Sequence, residues 1–202
     1  MKKRIFIAIN LPEDVRTVLV EYQNKYKDVI PASWTKPENL HITLLFIGDA
    51  EEEGIPEIKK TIQDVVVQQK SFSLTLNRNC YGPPQIIPPQ TVVVQRIEPP
   101  RMIWAIGEKS EKFNLLCDKL EEALASSPKI RFKPENRENI LHITLARIKE
   151  WEWRRIEPDE RPEIEEDINL SFEVKSVELM ESKLKRTGPE YITLESYKLN
   201  NN

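Results

Sequence analysis

Three observations predict an α+β fold of two lobes related by a pseudo-twofold axis. The pentapeptide Leu-His-Ile-Thr-Leu occurs twice in the 202 residues, at 40–44 and 141–145, and it holds both of the chain's histidines. A short apolar segment stands well before each copy, Ile5 to Ile9 (IFIAI) and Met102 to Ile106 (MIWAI), and each is followed by residues with helical spacing. Alternating stretches, such as Phe72-Ser-Leu-Thr-Leu76, supply the period of two that half-buried strands require. A chance recurrence of five residues in a chain this long has an expectation on the order of 0.01, and the tetrapeptide Lys-Pro-Glu-Asn also recurs, at 36–39 and 133–136. The chain therefore reads as a doubled unit.

Ile5 to Ile9 and Met102 to Ile106 read as buried strands because they are short, apolar and rich in β-formers. Pro12 and Glu13 open a helix to about Lys27 with Val15, Val18, Leu19 and Tyr22 on one stripe. Ser110 opens its counterpart, with Phe113, Leu116, Cys117, Leu120 and Leu124 at helical spacing until Pro128 stops it. Residues 52–69 form a third helix through Ile55, Ile58, Ile62, Val65 and Val66, and Phe72 to Leu76 a strand. Residues 80–90, with four prolines and Gly82, read as a rigid loop, and Thr91 to Ile97 as the next strand. Trp151 to Asp167, charged and broken by Pro158 and Pro162, reads as a solvated flap. The chain closes on a hairpin: Phe172 to Glu181, a turn at Thr187-Gly-Pro189, then Tyr191 to Tyr197. Each lobe should carry a mainly antiparallel sheet with outer helices, with the active-site cleft between the lobes. One domain over 1–202 is expected, made of repeats at about 1–100 and 101–202 whose strands are free to exchange.

Composition removes several functions. Lys plus Arg total 30 against 33 Asp plus Glu, a net charge of -3, so duplex DNA is not an expected partner; a strand end, whose phosphate needs only a few local cations, is. No apolar run approaches the ~18 residues of a membrane span, and the run after Lys3 and Arg4 is too short for a signal core, which points to the cytoplasm. Cys80 and Cys117 lie far apart without a CxxC, as ordinary buried thiols do. No glycine-rich phosphate loop is present, and no cofactor is expected.

On a strand, His41 and Thr43 share one face while Leu40, Ile42 and Leu44 share the other; His142 and Thr144 repeat the pattern. One such histidine is readily a structural residue. Two, facing one cleft across a pseudo-twofold axis, can serve as general acid and general base, and the threonine hydroxyls can donate to the oxygens of a phosphate between them. A metal site is the weaker reading: two histidines with Glu38 or Glu135 lack the third histidine or HExxH spacing of common zinc sites. Arg147 lies five positions after His142, an odd separation that points it to the opposite face, so its candidate role as a phosphate ligand needs a bend in the strand or a long side chain that reaches round. Trp34 suits either base stacking or lobe packing, and Lys36 and Lys133 either phosphate contact or solvated charge. Trp151 and Trp153, two apart, could form a stacking face on the flap or pack.

With LHITLLFIG, LHITLAR, RIFIAINLPEDV, W-T-KPEN and V-E-L-M-E-S-K-L-x-x-x-G-P-x-Y in hand, the chain resembles the two-histidine phosphoesterases over nearly its whole length. Within that superfamily it is similar to the bacterial RNA 2',3'-cyclic phosphodiesterases, also called LigT-like 2'-5' RNA ligases. The resemblance implies His41 as proton donor and His142 as proton acceptor, Thr43 and Thr144 as phosphate ligands, and cleft support from Ser182 and Tyr191. It implies hydrolysis of terminal 2',3'-cyclic phosphate on RNA ends or nucleotides without a metal, with reversible 2'-5' ligation as a side activity, in a monomer. A catalytically silent RNA-end-binding module is the alternative. The chain departs from the family form at Leu141, where proline is common, and over 151–167.

Overall fold

The computed structural model describes residues 2–83, 99–134, 139–186 and 188–201. In chain order they form β1 (Lys2–Asn10), α1 (Glu13–Tyr26), β2 (Ala32–Trp34), β3 (His41–Glu51), α2 (Ile55–Val66) and β4 (Phe72–Gly82). The second half continues with β5 (Met102–Gly107), α3 (Glu111–Ser126), β6 (His142–Ile148), α4 (Glu150–Trp153), β7 (Glu165–Val174), β8 (Ser176–Lys185) and β9 (Gly188–Lys198). The strand expected over Thr91 to Ile97 and most of the proline-rich segment lie outside the described residues.

The described strands make one antiparallel sheet in the order β7-β4-β5-β6-β3-β1-β8-β9, with β2 added to β6. The order is palindromic in role. β3 and β6 carry the two histidine motifs and meet at the centre through one residue pair, Ile42 with Ile143. Outward from it, β1 answers β5, β8 answers β4 and β9 answers β7. The lobes are thus not the two halves of the sequence: β4 from the first repeat completes the second lobe, and the β8–β9 hairpin from the second completes the first.

The helices are exchanged as well. α1 follows β1 but is tied to the other lobe, where buried Gln23 donates to the Leu145 carbonyl of β6 and Lys25 pairs with Glu166 of β7 at 3.0 Å. α3 follows β5 but packs on β3 and α2. Its N-terminus is capped as its sequence predicts, the Ser110 hydroxyl accepting from the Phe113 amide. One continuous cluster of buried side chains runs under the sheet, with Ile5, Ile7 and Ile9 of β1 beside Ile42, Ile143 and Leu145. Each such side chain contributes roughly 1.5–3 kcal/mol when fully buried. Cys80 and Cys117 are buried free thiols, and burial pushes Cys117 up to about 12.

Four local expectations are corrected. Val18 is 41% exposed and Gln23 takes its place inside, because the helix must meet two backbone carbonyls there. β4 runs on to Gly82, since pairing with β5 holds Cys80 to Gly82 extended, with β7 joining as far as Cys80. The 151–167 segment is only partly a solvated flap: Trp153 is buried edge-on against Tyr81, the Tyr81 hydroxyl donates to the Pro162 carbonyl, and β7 begins at Glu165. Trp151 is 67% exposed, so the two tryptophans do not share a face. Finally, the run from Phe172 to Glu181 is two strands, broken at Lys175 where the chain passes from one lobe to the other.

Candidate active site

The central pair places the two motifs. In the antiparallel register set by Ile42 and Ile143, Thr144 continues opposite His41 and Thr43 opposite His142. Both isoleucines are fully buried beneath the sheet, which turns the histidines and threonines to its other face. There all four line one cleft of about 470 Å³ together with Trp34, Lys36, Phe46, Arg147, Arg186 and Tyr191.

Arg147 reaches the cleft because β6 is irregular. Thr144 pairs with Trp104 and Ala146 with Ile103, so Leu145 is an extra residue bulged between them. A bulge resets the alternation of side chains, so Arg147, five positions from His142, returns to the histidine's face. The first motif does the same. Thr43 pairs with Ala8 and Leu45 with Ile7, Leu44 is the extra residue, and Phe46 returns to the cleft five positions after His41. Two successive buried residues followed by an exposed one mark both bulges, at 44–46 and at 145–147. The Leu145 carbonyl, displaced from the β5 ladder, accepts from the Thr35 amide and from Gln23 Nε2, both at 2.9 Å.

The backbone orients both imidazoles. His41 Nδ1 lies 2.7 Å from the Asn39 carbonyl and His142 Nδ1 lies 2.8 Å from the Ile140 carbonyl, each two residues upstream. A carbonyl only accepts, so each Nδ1 carries the proton and each Nε2 is the atom that gains or loses one. His41 Nε2 lies 3.1 Å from the Thr43 hydroxyl. Burial holds the His41 proton affinity below the ordinary value of 6.5, charge on His142 pushes the same way, and the Asn39 carbonyl works against both. Asn39 is itself fixed: its buried side chain donates to the Pro189 carbonyl and so ties the β8–β9 hairpin to the His41 turn.

The walls differ. His41 packs beside Phe6 and edge-on to Tyr191, with ring centroids 5.1 Å from each. His142 lies stacked on the Trp104 indole at 3.9 Å. Gly82 on the neighbouring strand leaves room for that indole, because a Cβ there would stand 2.3 Å from the ring. Trp34 is half-buried; it lines the cleft and also touches the main core. Lys36, Arg147 and Arg186 make no ion pair among the described residues, and no Asp or Glu is among the cleft-lining residues. Glu38 is exposed on the turn before β3 and away from the cleft lining, while Glu135 lies outside the described residues. The residues His41, Thr43, His142, Thr144, Arg147 and Trp34 singled out from the sequence therefore all meet in one cavity. Phe46 and Arg186 were not anticipated there, nor Trp104 behind His142; the matched +5 positions of Phe46 and Arg147 were the signal available for the first.

A family model described as LigT like Phosphoesterase matches residues 9–93 and 106–191, the greater part of both repeats. The chain belongs to the LigT-like phosphoesterases. Proteins named RNA 2',3'-cyclic phosphodiesterase are similar to it along most of their length. The one from Methanocaldococcus jannaschii is 27% identical over 96% of this chain and 99% of its own, and that from Aeropyrum pernix 31% identical over 82% and 85%. A crystal structure from Thermus thermophilus superposes on this LigT-like chain with a TM-score of 0.79 at 29% identity, covering 98% of one chain and 99% of the other. Escherichia coli LigT complexed with 3'-AMP shares the fold, with a TM-score of 0.73 at 22% identity and coverage of 98% and 99%. The two-lobed α+β architecture is thus that of the family.

Proposed function

We propose that this LigT-like phosphoesterase is an RNA 2',3'-cyclic phosphodiesterase, the name its relatives carry, and that His41 and His142 are its acid and base. One observation carries the reading: two imidazoles, each with Nδ1 engaged by a carbonyl, share with two threonine hydroxyls, and with cations that make no ion pair among the described residues, a cleft whose described lining holds no carboxylate. An anionic phosphodiester fits such a cavity, and a cation is not what it is built to hold.

In the proposed step, water attacks phosphorus in line while His142 Nε2 takes its proton. The bond from phosphorus to the 3' oxygen breaks and His41 Nε2 protonates that oxygen, leaving a 2'-phosphate and a 3'-hydroxyl. The assignment of acid and base follows the family resemblance. Thr43 and Thr144 donate to the non-bridging oxygens, and Arg147 balances their charge. The lowered proton affinity of His41 makes it a ready donor once charged, and the bound anion favours that charged form. With a 5'-hydroxyl RNA end in place of water, the same attack on phosphorus breaks the same bond to the 3' oxygen and forms a 2'-5' bond, a minor route in dilute solution.

The same reading treats 1–202 as one domain, because neither repeat owns a complete lobe, and a monomer as the working unit, because both motifs lie in one chain. RNA ends as substrates imply a cytoplasmic setting. The test is chromatography of the product from cyclic-ended RNA in the presence of chelator. A 2'-phosphate is expected; a 3'-phosphate reverses the two histidines, activity restored only by added metal removes the metal-free mechanism, and no turnover leaves the silent binding module.

A further inference from the structure

Beyond Phe46 the cleft opens onto a shelf that the chemistry above does not use. Phe46 lines both spaces, and its ring is 41% exposed between them. The shelf is bounded by Arg4 of β1, Gly48 and Asp49 of β3, and Arg131 and Lys133 of the segment after α3. All three cations are exposed, none is in an ion pair among the described residues, and Asp49 is the one carboxylate in the described lining.

The shelf is built by a second irregularity in β3. Ile5 pairs with Gly48 and Phe6 with Phe46, so Ile47 is extra, and Gly48 at φ +86° supplies the left-handed backbone that lets the strand turn away after Phe46. The two spaces are also linked electrostatically, since the Tyr191 hydroxyl at the cleft wall senses both Arg147 and Arg4. Across the cleft from the β6 side the surface thus reads cation, aromatic, cation: Arg147, then past the histidines Tyr191 and Phe46, then Arg4, Arg131 and Lys133. This is the alternation that single-stranded nucleic acid selects, phosphates on cations and a base on a ring.

We infer that Arg4, Arg131 and Lys133 form a subsite for the phosphates of the RNA strand that precede its reacting terminal nucleotide, with Phe46 as the platform for a neighbouring base. The inference rests on the RNA-end reading of the cleft and names its substrate as an oligonucleotide end in preference to a free cyclic nucleotide. In a chain of net charge -3, attraction confined to this shelf directs the strand without general affinity for polyanions.

The test uses the full chain and the variant R4A/R131A/K133A, whose substituted side chains are all exposed. A fluorescent RNA pentamer ending in a 2'-phosphate is titrated against each protein at several salt concentrations, alongside adenosine 2'-monophosphate. The native chain should bind the pentamer more tightly than the mononucleotide by about tenfold or more. The triple variant should lose that gain, and its salt slope should fall by about 2, since single strands give ~0.7 per neutralised phosphate. Mononucleotide binding and turnover of 2',3'-cyclic AMP should stay unchanged. Equal pentamer affinity and slope in both proteins would overturn the subsite, as would equal binding of a blunt RNA duplex through the same residues. Failure to turn over any cyclic phosphate, with pentamer binding still dependent on the three cations, would refute the hydrolase and leave the subsite standing.

Discussion

The two halves of the cleft use the same backbone and opposite surroundings. Each presents a histidine, a threonine two residues on, a bulge, and a fifth residue returned to the cleft; that residue is Phe46 on one side and Arg147 on the other. Opposite the threonines stand Ala8 in one lobe and Trp104 in the other. Small Ala8 leaves His41 to Phe6 and Tyr191, whereas Trp104 is large enough to stack on His142 itself. Symmetry therefore repeats the histidine and threonine geometry, and the departures from symmetry give the proposed acid and base different walls, aromatic at Phe46 and cationic at Arg147. Neither histidine needs a carboxylate partner, since a backbone carbonyl sets each tautomer.

Removing a histidine should have the largest effect. His41→Ala and His142→Ala should each lose about 10²- to 10⁴-fold in kcat with folding intact, as judged by thermal melts. A small loss at one of them would show that the halves are unequal in chemistry as well as in surroundings. Arg147→Ala should weaken substrate binding by roughly 10- to 100-fold, the value of a charged hydrogen bond, and raise KM more than it lowers kcat. Arg147→Phe, which copies the Phe46 side, should do no better; wild-type KM in either would place the arginine outside phosphate binding.

Trp104→Leu should lower kcat several-fold and move the pH dependence of kcat/KM, because the indole fixes the plane of His142. Gly82→Ala, which drives a Cβ into that indole, should reproduce the shift and cost about 1–3 kcal/mol of stability. Unaltered pH profiles in both would reduce Trp104 to packing. Gln23→Leu, which removes the side chain bracing the Leu145 bulge, should cost about 1–3 kcal/mol in denaturant melts and affect Arg147-dependent binding more than the His41 side. The smallest effect concerns pH. Folding lowers the proton affinity of His41, so its contribution to stability is complete above the ordinary value of 6.5 and is lost as pH falls. Melting between pH 7 and 5 should be flatter in His41→Gln than in the native chain.

The paired histidines, their threonines and the helix stripes were legible because they depend on local period and on repetition. Arg147 was legible as a candidate and its placement was not, since a uniform pleat sends a +5 residue to the far face and only the cross-strand register reveals the bulge at Leu145. The burial of Gln23 was not legible, because polarity alone does not announce two waiting carbonyls. Trp104 read as one more apolar residue of a buried strand, and its ring meets His142 only once β5 and β6 are paired. The exchange of helices was also illegible: an apolar stripe says that a helix is covered, and not which sheet covers it.

That exchange sets the order in which the molecule can be completed during synthesis. β1 leaves the ribosome long before its outer neighbour β8, which pairs Glu178 with Ala8, and α1 waits for β6 and β7. The His41 wall includes Tyr191 and is tied down by the Pro189 carbonyl, both in the last strand. Pairings this distant along the chain close slowly and leave β1 as an uncovered edge meanwhile. A nascent chain halted before the β8–β9 hairpin would carry both histidine motifs and no finished pocket, so the cleft is complete only once that hairpin has been made.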